Sequence, residues 1–244
     1  MPYQKLNLND AADYLHLPKH ELERLVSKRD VPYELQNGHP SFRKVELRDW
    51  LTQKLLSDKK KSLQSYHCKA TDQYERPDRT QPFLTEFISP HYMEPDLHAR
   101  TKNSLMRELV HDIAKTDLLC DEGEFHDLLL QREELCPTGL ANGIAIPHSR
   151  LHSEYLFLDS FLYIAKVPSG IPFGSIDGKM TDLFFVPCAT DDKLHLYMLM
   201  RLSLMVQKTD LADCLRDCHT KEEMYDCFVQ KELEFVEQVV IKGK

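Results

Sequence analysis

A chain of 244 residues can hold one large domain or two modest ones, and no apolar run in it approaches the 18 or so residues of a membrane span. Its formal net charge of −8 is unevenly spread: residues 1–61 carry 12 Lys/Arg against 9 Asp/Glu, and the remainder 19 against 30. That asymmetry predicts two domains with different partners, and the absence of a basic start followed by an apolar block over Met1 to Asn9 predicts a cytoplasmic protein whose seven irregularly spaced cysteines stay reduced.

Asp10-Ala11-Ala12-Asp13-Tyr14-Leu15 reads as a first helix, capped by Asn9 or Asp10. His16-Leu17-Pro18 ends it, and Pro18 suits the first turn of a second helix over Lys19 to Arg29. Leu22, Leu25 and Val26 form the inner face of that helix; Lys19, His20, Glu23, Arg24, Lys28 and Arg29 are left outside. Asn37-Gly38 between two short strand-like runs signals a hairpin, and Val45 to Leu56 reads as a third helix, with Leu47, Trp50, Leu51 and Leu55 closing a small core. Two helices joined by a tight turn and followed by a hairpin give a winged helix-turn-helix whose second helix fits a major groove.

About 50 residues here resemble the excisionase-like, winged members of the MerR-type DNA-binding families. The resemblance rests on Leu8-Asn9-Asp10-Ala11-Ala12-Asp13-Tyr14-Leu15, Val31-Pro32 and Phe42-Arg43-Lys44-Val45-Glu46-Leu47-Arg48-Asp49-Trp50-Leu51, with Asp30 standing where a glycine is usual. It implies DNA contacts from Lys19, His20, Arg24, Lys28, Arg43 and Lys44. Glu21 and Glu23 oppose phosphate contacts, so a winged module that binds protein instead is the other reading. The polar stretch that follows, starting at Asp58-Lys59-Lys60-Lys61, reads as a linker. The expected division is therefore 1–58 winged helix-turn-helix, 59–82 linker, and 83–244 a second domain.

In the second domain, Leu84, Phe87 and Ile88 suggest a strand or docking segment, and Ser104 to Thr116 an amphipathic helix with Leu105, Leu109 and Ile113 on one stripe. A helix over Gly123 to Leu135 places Arg132 on the apolar face of Phe125, Leu128 and Leu129. A guanidinium there needs a partner, either a carboxylate such as Glu134 or Asp127, or a bound phosphoryl group. Then comes Thr138-Gly139-Leu140-Ala141-Asn142-Gly143-Ile144-Ala145-Ile146-Pro147-His148-Ser149-Arg150. Small residues permit close backbone approach, Ile144 to Ile146 make a short buried strand, Pro147 ends it, and His148 stands at its end. Two apolar strands follow, over Leu156 to Val167 and Asp182 to Pro187, with a turn over Pro172 to Lys179 between them. A helix over Lys193 to Gln207, capped by Asp191 or Asp192, carries His195 on its inner side, where a histidine taken alone reads as a hydrogen-bonded core residue. Structural helices near Asp210–Cys218 and Lys221–Leu233 complete the chain, and Phe235 to Ile241 is open between helix and strand. Cys214, Cys218 and His219 are the one suggestive metal cluster, but no second half of a zinc motif follows.

Arg132-Glu133 followed by Thr138 to His148 resembles the phosphohistidine site of the type-2 IIA domains of the bacterial phosphotransferase system, the mannitol/fructose and nitrogen-regulatory class. Pro137 stands where serine often precedes the Thr-Gly step, and Ala141 replaces a usual glycine. The resemblance covers roughly the last two-thirds of the chain. It implies an α/β fold with a mixed sheet flanked by helices, beside the small, mainly α N-terminal module. It implies His148 as phosphoryl acceptor, Arg132 and His195 as its partners in the site, Thr138 or Ser149 as a hydroxyl donor, and no cofactor or metal. Such a protein is a phosphohistidine phosphocarrier rather than a turnover enzyme. The two halves together imply a transcriptional regulator that takes phosphate from an HPr-type phosphocarrier, with DNA, a regulated protein or a second copy of this chain as further partners. The alternatives are a plain carrier component of sugar uptake and a non-phosphorylated interaction protein that kept the fold.

Overall fold

The structure, a computed structural model, describes residues 5–15, 17–57, 81–149 and 155–241. The chain divides into two compact units, residues 1–77 and 78–244. Most of the stretch expected as a linker, residues 58–80, lies outside the described residues.

In the first unit β1 (Lys5–Leu6) leads into α1 (Leu8–Tyr14), followed by α2 (Lys19–Lys28), β2 (Glu34–Gln36), β3 (His39–Arg43) and α3 (Lys44–Ser57). The cap of α1 is Asn7, not the expected Asn9 or Asp10: its side-chain oxygen accepts the N–H groups of both of those residues, at 2.9 and 3.0 Å. α2 ends at Arg29, which takes a left-handed conformation and shares its backbone N–H between the Leu25 and Val26 carbonyls of the last turn. β2 and β3 pair antiparallel, and the turn between them puts both Asn37 and Gly38 at positive φ, the conformation that a two-residue hairpin requires. β1 pairs with the other edge of β3. Ala11, Leu15, Leu22, Phe42, Leu47 and Leu51 are buried and form the centre of this unit.

In the second unit a short 3₁₀ turn at Leu84–Phe87 precedes β4 (Met93–Glu94), α4 (Lys102–Ala114) and α5 (Glu122–Leu135). Then come β5 (Ile144–Ala145), β6 (Phe161–Ile171), β7 (Thr181–Cys188), α6 (Asp192–Lys208), α7 (Leu211–Asp217) and α8 (Lys221–Phe235), whose last turns widen to a π-helix over Val236–Ile241. The residues expected as a strand or docking segment at Leu84–Ile88 therefore open as a 3₁₀ turn, and the open C-terminal stretch is helical. The sheet order is β4-β6-β7-β5: β6 and β7 are antiparallel, while β4 runs parallel to β6 and β5 parallel to β7.

Both faces of this mixed sheet are covered, as the unbroken apolar runs of β6 and β7 require. Phe161, Tyr163, Ala165, Phe184 and Val186 pack with Leu105, Leu109, Ile113, Phe125 and Leu129 of α4 and α5. The alternate residues Leu162, Ile164, Leu183 and Phe185 are equally buried on the other face, where α6 lies against β7. Each long helix starts on a side-chain cap: Thr101 for α4, Asp121 for α5, Asp191 for α6 and Thr220 for α8. Cys214 and Cys227 bring their sulfurs together where α7 packs beside α8, with Cα atoms 6.4 Å apart, a juxtaposition that spacing along the chain does not reveal.

Candidate functional site

Residues 138–148 fold back on themselves. Leu140 N–H donates to the Ile144 carbonyl at 2.7 Å and Ile146 N–H to the Thr138 carbonyl at 3.2 Å. The reversal is made by Asn142 and Gly143, both at positive φ. A Cβ on Gly139 would stand 2.8 Å from the backbone of Ser175, so the glycine is needed for the turn after β6 to lie against this loop. β5 then enters the sheet beside β7, and the chain leaves at Pro147 with His148 buried directly behind it.

The His148 ring is held at both nitrogens. Nδ1 lies 2.8 Å from the Ile146 carbonyl oxygen, an atom that can only accept, so Nδ1 carries the proton. Nε2 is left with its lone pair, and it accepts a hydrogen bond from Arg132 Nε–H at 3.1 Å. Arg132 comes from the last turns of α5 and also donates from Nη1 to the Cys136 carbonyl, at 2.8 Å, where the chain leaves the helix. The guanidinium on the apolar face thus points at the histidine. His195, in the first turn of α6, lies with its ring centroid 5.1 Å from that of His148, the planes tilted by 47°. Arg132, His148 and His195 are 3 %, 3 % and 1 % exposed. The three residues singled out in the sequence are therefore brought together in one buried cluster. Such a cluster offers a lone-pair nitrogen of fixed tautomer beside a fixed cation, which suits attack on an anionic electrophile.

Of the two hydroxyls expected to help, Thr138 directs its hydrogen elsewhere. Its Oγ1 donates to Glu133 Oε2 at 2.6 Å, and its backbone N–H reaches the same carboxylate at 3.1 Å. Glu133 also takes an ion pair from Lys102 Nζ at 2.7 Å, and that ammonium stands 4.8 Å from the centre of the Phe173 ring. Thr138 thus anchors the loop to α5. Ser149 is buried next to His148, and Arg150 lies outside the described residues.

A second clamp was invisible in the sequence. Arg216 of α7 forks onto Asp182 of β7, with Nε at 2.8 Å and Nη2 at 2.9 Å, and donates to the Asn142 carbonyl at the reversal. Asp182 N–H in turn donates to the Gly143 carbonyl at 2.9 Å. Residues 34 apart, with no motif around either, carried no signal of this pairing.

In the first unit Lys19, His20, Arg24 and Lys28 lie exposed along α2. Arg43 forms ion pairs with Glu34 and with Glu46, the latter at 3.2 Å, and Lys44 Nζ stands 5.2 Å from the centre of the Tyr14 ring. Among the described residues no group of three or more His, Cys, Asp and Glu side chains could hold a metal ion, and no helix is long and apolar enough to cross a membrane.

Residues 86–231 match the family described as phosphoenolpyruvate-dependent sugar phosphotransferase system, EIIA 2. Over 149 residues the chain is 26 % identical to the PTS system fructose-specific EIIABC component of Bacillus subtilis, a match that takes in 60 % of this chain and 23 % of that longer protein. It is 28 % identical over 150 residues to a nitrogen regulatory protein of Pseudomonas aeruginosa, covering 60 % of this chain and 94 % of the relative. Among solved structures, nitrogen regulatory protein IIA-Ntr from Neisseria meningitidis superposes with a TM-score of 0.53 at 20 % identity, over 59 % of this chain and 97 % of that one. IIA mannitol from Escherichia coli gives 0.51 at 20 % identity, over 57 % and 97 %. Those two likenesses bear on the fold, and the match over residues 86–231 bears on descent: this chain belongs to the EIIA type 2 family of the phosphoenolpyruvate-dependent sugar phosphotransferase system.

Proposed function

We propose that His148 accepts a phosphoryl group on Nε2 from the phosphohistidine of an HPr-type carrier, and that the state of His148 regulates what the N-terminal unit binds. The observation that carries this reading is the double restraint on the ring: the Ile146 carbonyl fixes the proton on Nδ1, and Arg132 meets the lone pair on Nε2. In the transfer, the donor's P–N bond breaks as a bond forms from phosphorus to Nε2 of His148, and the donor imidazole leaves with the electron pair. The His148 ring gains positive charge, which the Nδ1–H···O=C bond stabilises. That retained proton also keeps His148 a good leaving group for onward transfer. Arg132 turns from Nε2 onto the equatorial phosphoryl oxygens, and His195 donates from the other side.

The regulatory half of the proposal is supported by the first unit, whose order of α1, α2 and β2–β3 hairpin is the one a winged helix-turn-helix would need, and by the four outward basic groups of α2. The match to nitrogen regulatory proteins over nearly their full length favours regulation; the fructose-specific relative favours the second reading, a cytoplasmic carrier in sugar uptake. A phosphoryl group adds about two negative charges, enough to rearrange a docking surface. The decisive experiment incubates the full chain and a His148→Ala variant with phosphorylated HPr-type donors and reads intact mass. Phosphate on the wild type alone is the expected result, and its absence with every donor overturns the proposal. DNA binding with and without phosphate then separates regulator from carrier.

A further inference from the structure

Two charged residues outside the His148 motif lie deep in the second unit. Glu232 of α8 is 0 % exposed and Arg201 of α6 is 1 % exposed, and they form an ion pair at 3.1 Å. An apolar pair of similar volume would hold two helices together at least as well, because desolvating both charges cancels most of their attraction. The remaining bonds suggest what the pair does. The Glu232 carboxylate accepts the backbone N–H groups of Phe83, Leu84 and Thr85 at 3.0, 2.8 and 2.8 Å, which are the orphan donors at the start of the 3₁₀ turn. Arg201 donates from Nη2 to the Gln81 carbonyl at 3.3 Å. Phe83 packs its ring edge-on to Tyr197 of α6, with centroids 4.2 Å apart. The segment 81–85 is therefore clasped by one helix through Tyr197 and Arg201 and by another through Glu232.

Two facts make this clasp more than packing. Its segment begins four residues after the boundary between the two units, at 77/78. And the helix that holds it, α6, is the one whose first turn carries His195, two residues before Tyr197 and six before Arg201. Six residues of helix span about 9 Å along a rigid rod.

We propose that this clasp is a coupling element: the phosphoryl state of His148 is read out at residues 81–85, where the N-terminal unit is tethered. The inference rests on His148 being the phosphoryl acceptor. A dianion between the two histidine rings draws on His195 and on the N-terminus of α6, where Asp191 now accepts the N–H groups of Lys193 and Leu194. Any shift of α6 that answers this charge is carried along the helix to Tyr197 and Arg201, and so to the segment they hold.

The test is amide hydrogen exchange on the full chain, with and without phosphate from an HPr-type donor, read on peptides covering residues 81–88. Exchange of the Phe83, Leu84 and Thr85 amides should change by about fivefold or more. Unchanged exchange in protein that intact mass shows to be phosphorylated overturns the coupling alone. No phosphate from any donor overturns the reading of His148 and the coupling with it. Coupling is reciprocal, so a Glu232→Gln variant should shift the phosphorylated fraction reached at a fixed donor ratio by about the same factor. If that variant does not fold, Phe83→Leu, which loosens the contact with Tyr197 but keeps the ion pair, carries the same arm. Equal fractions in wild type and a variant whose segment exchanges faster overturn the proposal.

Discussion

Arg132 and His148 meet nitrogen to nitrogen: the guanidinium Nε–H donates to the imidazole Nε2 at 3.1 Å, sixteen residues apart in sequence. The bond uses the planar fork of arginine twice, because Nη1 holds the Cys136 carbonyl while Nε faces the ring. Lysine has no second donor at fixed geometry to do both. Arg132→Lys should therefore slow phosphoryl transfer nearly as much as Arg132→Ala, each by about 10²–10³-fold, the usual cost of one lost charge-stabilising donor. A time course of intact mass with a phosphorylated donor measures this. Rates within a few-fold of wild type for the lysine variant would remove the fork geometry from the mechanism.

Thr138 should matter to stability more than to chemistry, because its hydroxyl hydrogen is engaged by the buried Glu133 carboxylate. Thr138→Val keeps the shape and takes away that donor, leaving Glu133 with Lys102 and the Thr138 N–H. The expected loss is about 1–3 kcal/mol in urea unfolding, with Thr138→Ser close to wild type. A valine variant as stable as wild type but slow in transfer would return the hydroxyl to the phosphoryl group.

The comparison of Arg132 with Arg216 shows what sequence can and cannot reveal. Arg132 was legible because it interrupts an apolar helical stripe and precedes a long motif, and both signals are local. The helices were legible for the same reason, to within a residue or two of their ends. Arg216, Asp182 and the Arg201–Glu232 pair were not, since each bond joins elements whose proximity depends on the order of strands in the sheet and the packing of helices on it. The Cys214–Cys227 juxtaposition was missed on the same ground. The cap at Asn7 was misjudged by two or three residues because Asn7, Asn9 and Asp10 all offer suitable side chains, and only the backbone path chooses among them.

Gly143 and Gly178 make a controlled pair. Both have positive φ, +73° and +69°, but a Cβ on Gly178 meets nothing within 4 Å, whereas on Gly143 it would stand 2.7 Å from Asp182 Oδ1 and 2.9 Å from Arg216 Nη2. Gly178→Ala should cost only the left-handed backbone term, about 1–2 kcal/mol. Gly143→Ala should cost more and should also slow transfer, because it opens the clamp that shapes the loop before His148. Equal losses in urea unfolding would show that the Arg216–Asp182 clamp yields freely.

The alkaline limb of stability has identifiable sources. Burial pushes the Cys188 thiol well up; it also pushes up the Tyr163 hydroxyl, helped by Asp112 and Glu94. Both groups are neutral acids whose folded values lie above their unfolded ones. Their contribution is therefore complete below the ordinary thiol range and is lost as pH rises, when the unfolded chain ionises first. The urea midpoint should fall between about pH 7 and pH 10, and Cys188→Ala should show a shallower fall. Iodoacetamide at neutral pH should modify exposed Cys120 well before buried Cys188. A midpoint that does not fall over this range would contradict the assignment.

Arg24 and Lys28 separate the two roles open to the N-terminal unit. Both lie exposed on α2, and the Arg24 guanidinium stands 3.8 Å from the Glu21 carboxylate. Arg43, by contrast, pairs with Glu34 and Glu46 and ties the hairpin to α3. If α2 enters a major groove, Arg24→Ala and Lys28→Ala should each weaken binding about uniformly across sequences and lower the salt dependence of log K by about one. Arg43→Ala should instead loosen the hairpin, with at most about 1 kcal/mol of stability lost for such an exposed pair. Fluorescence anisotropy on labelled duplexes at several salt concentrations reads these slopes. Duplex binding that is absent even at low salt, in a unit that remains folded, would move the exposed face of α2 from nucleic acid to a protein partner.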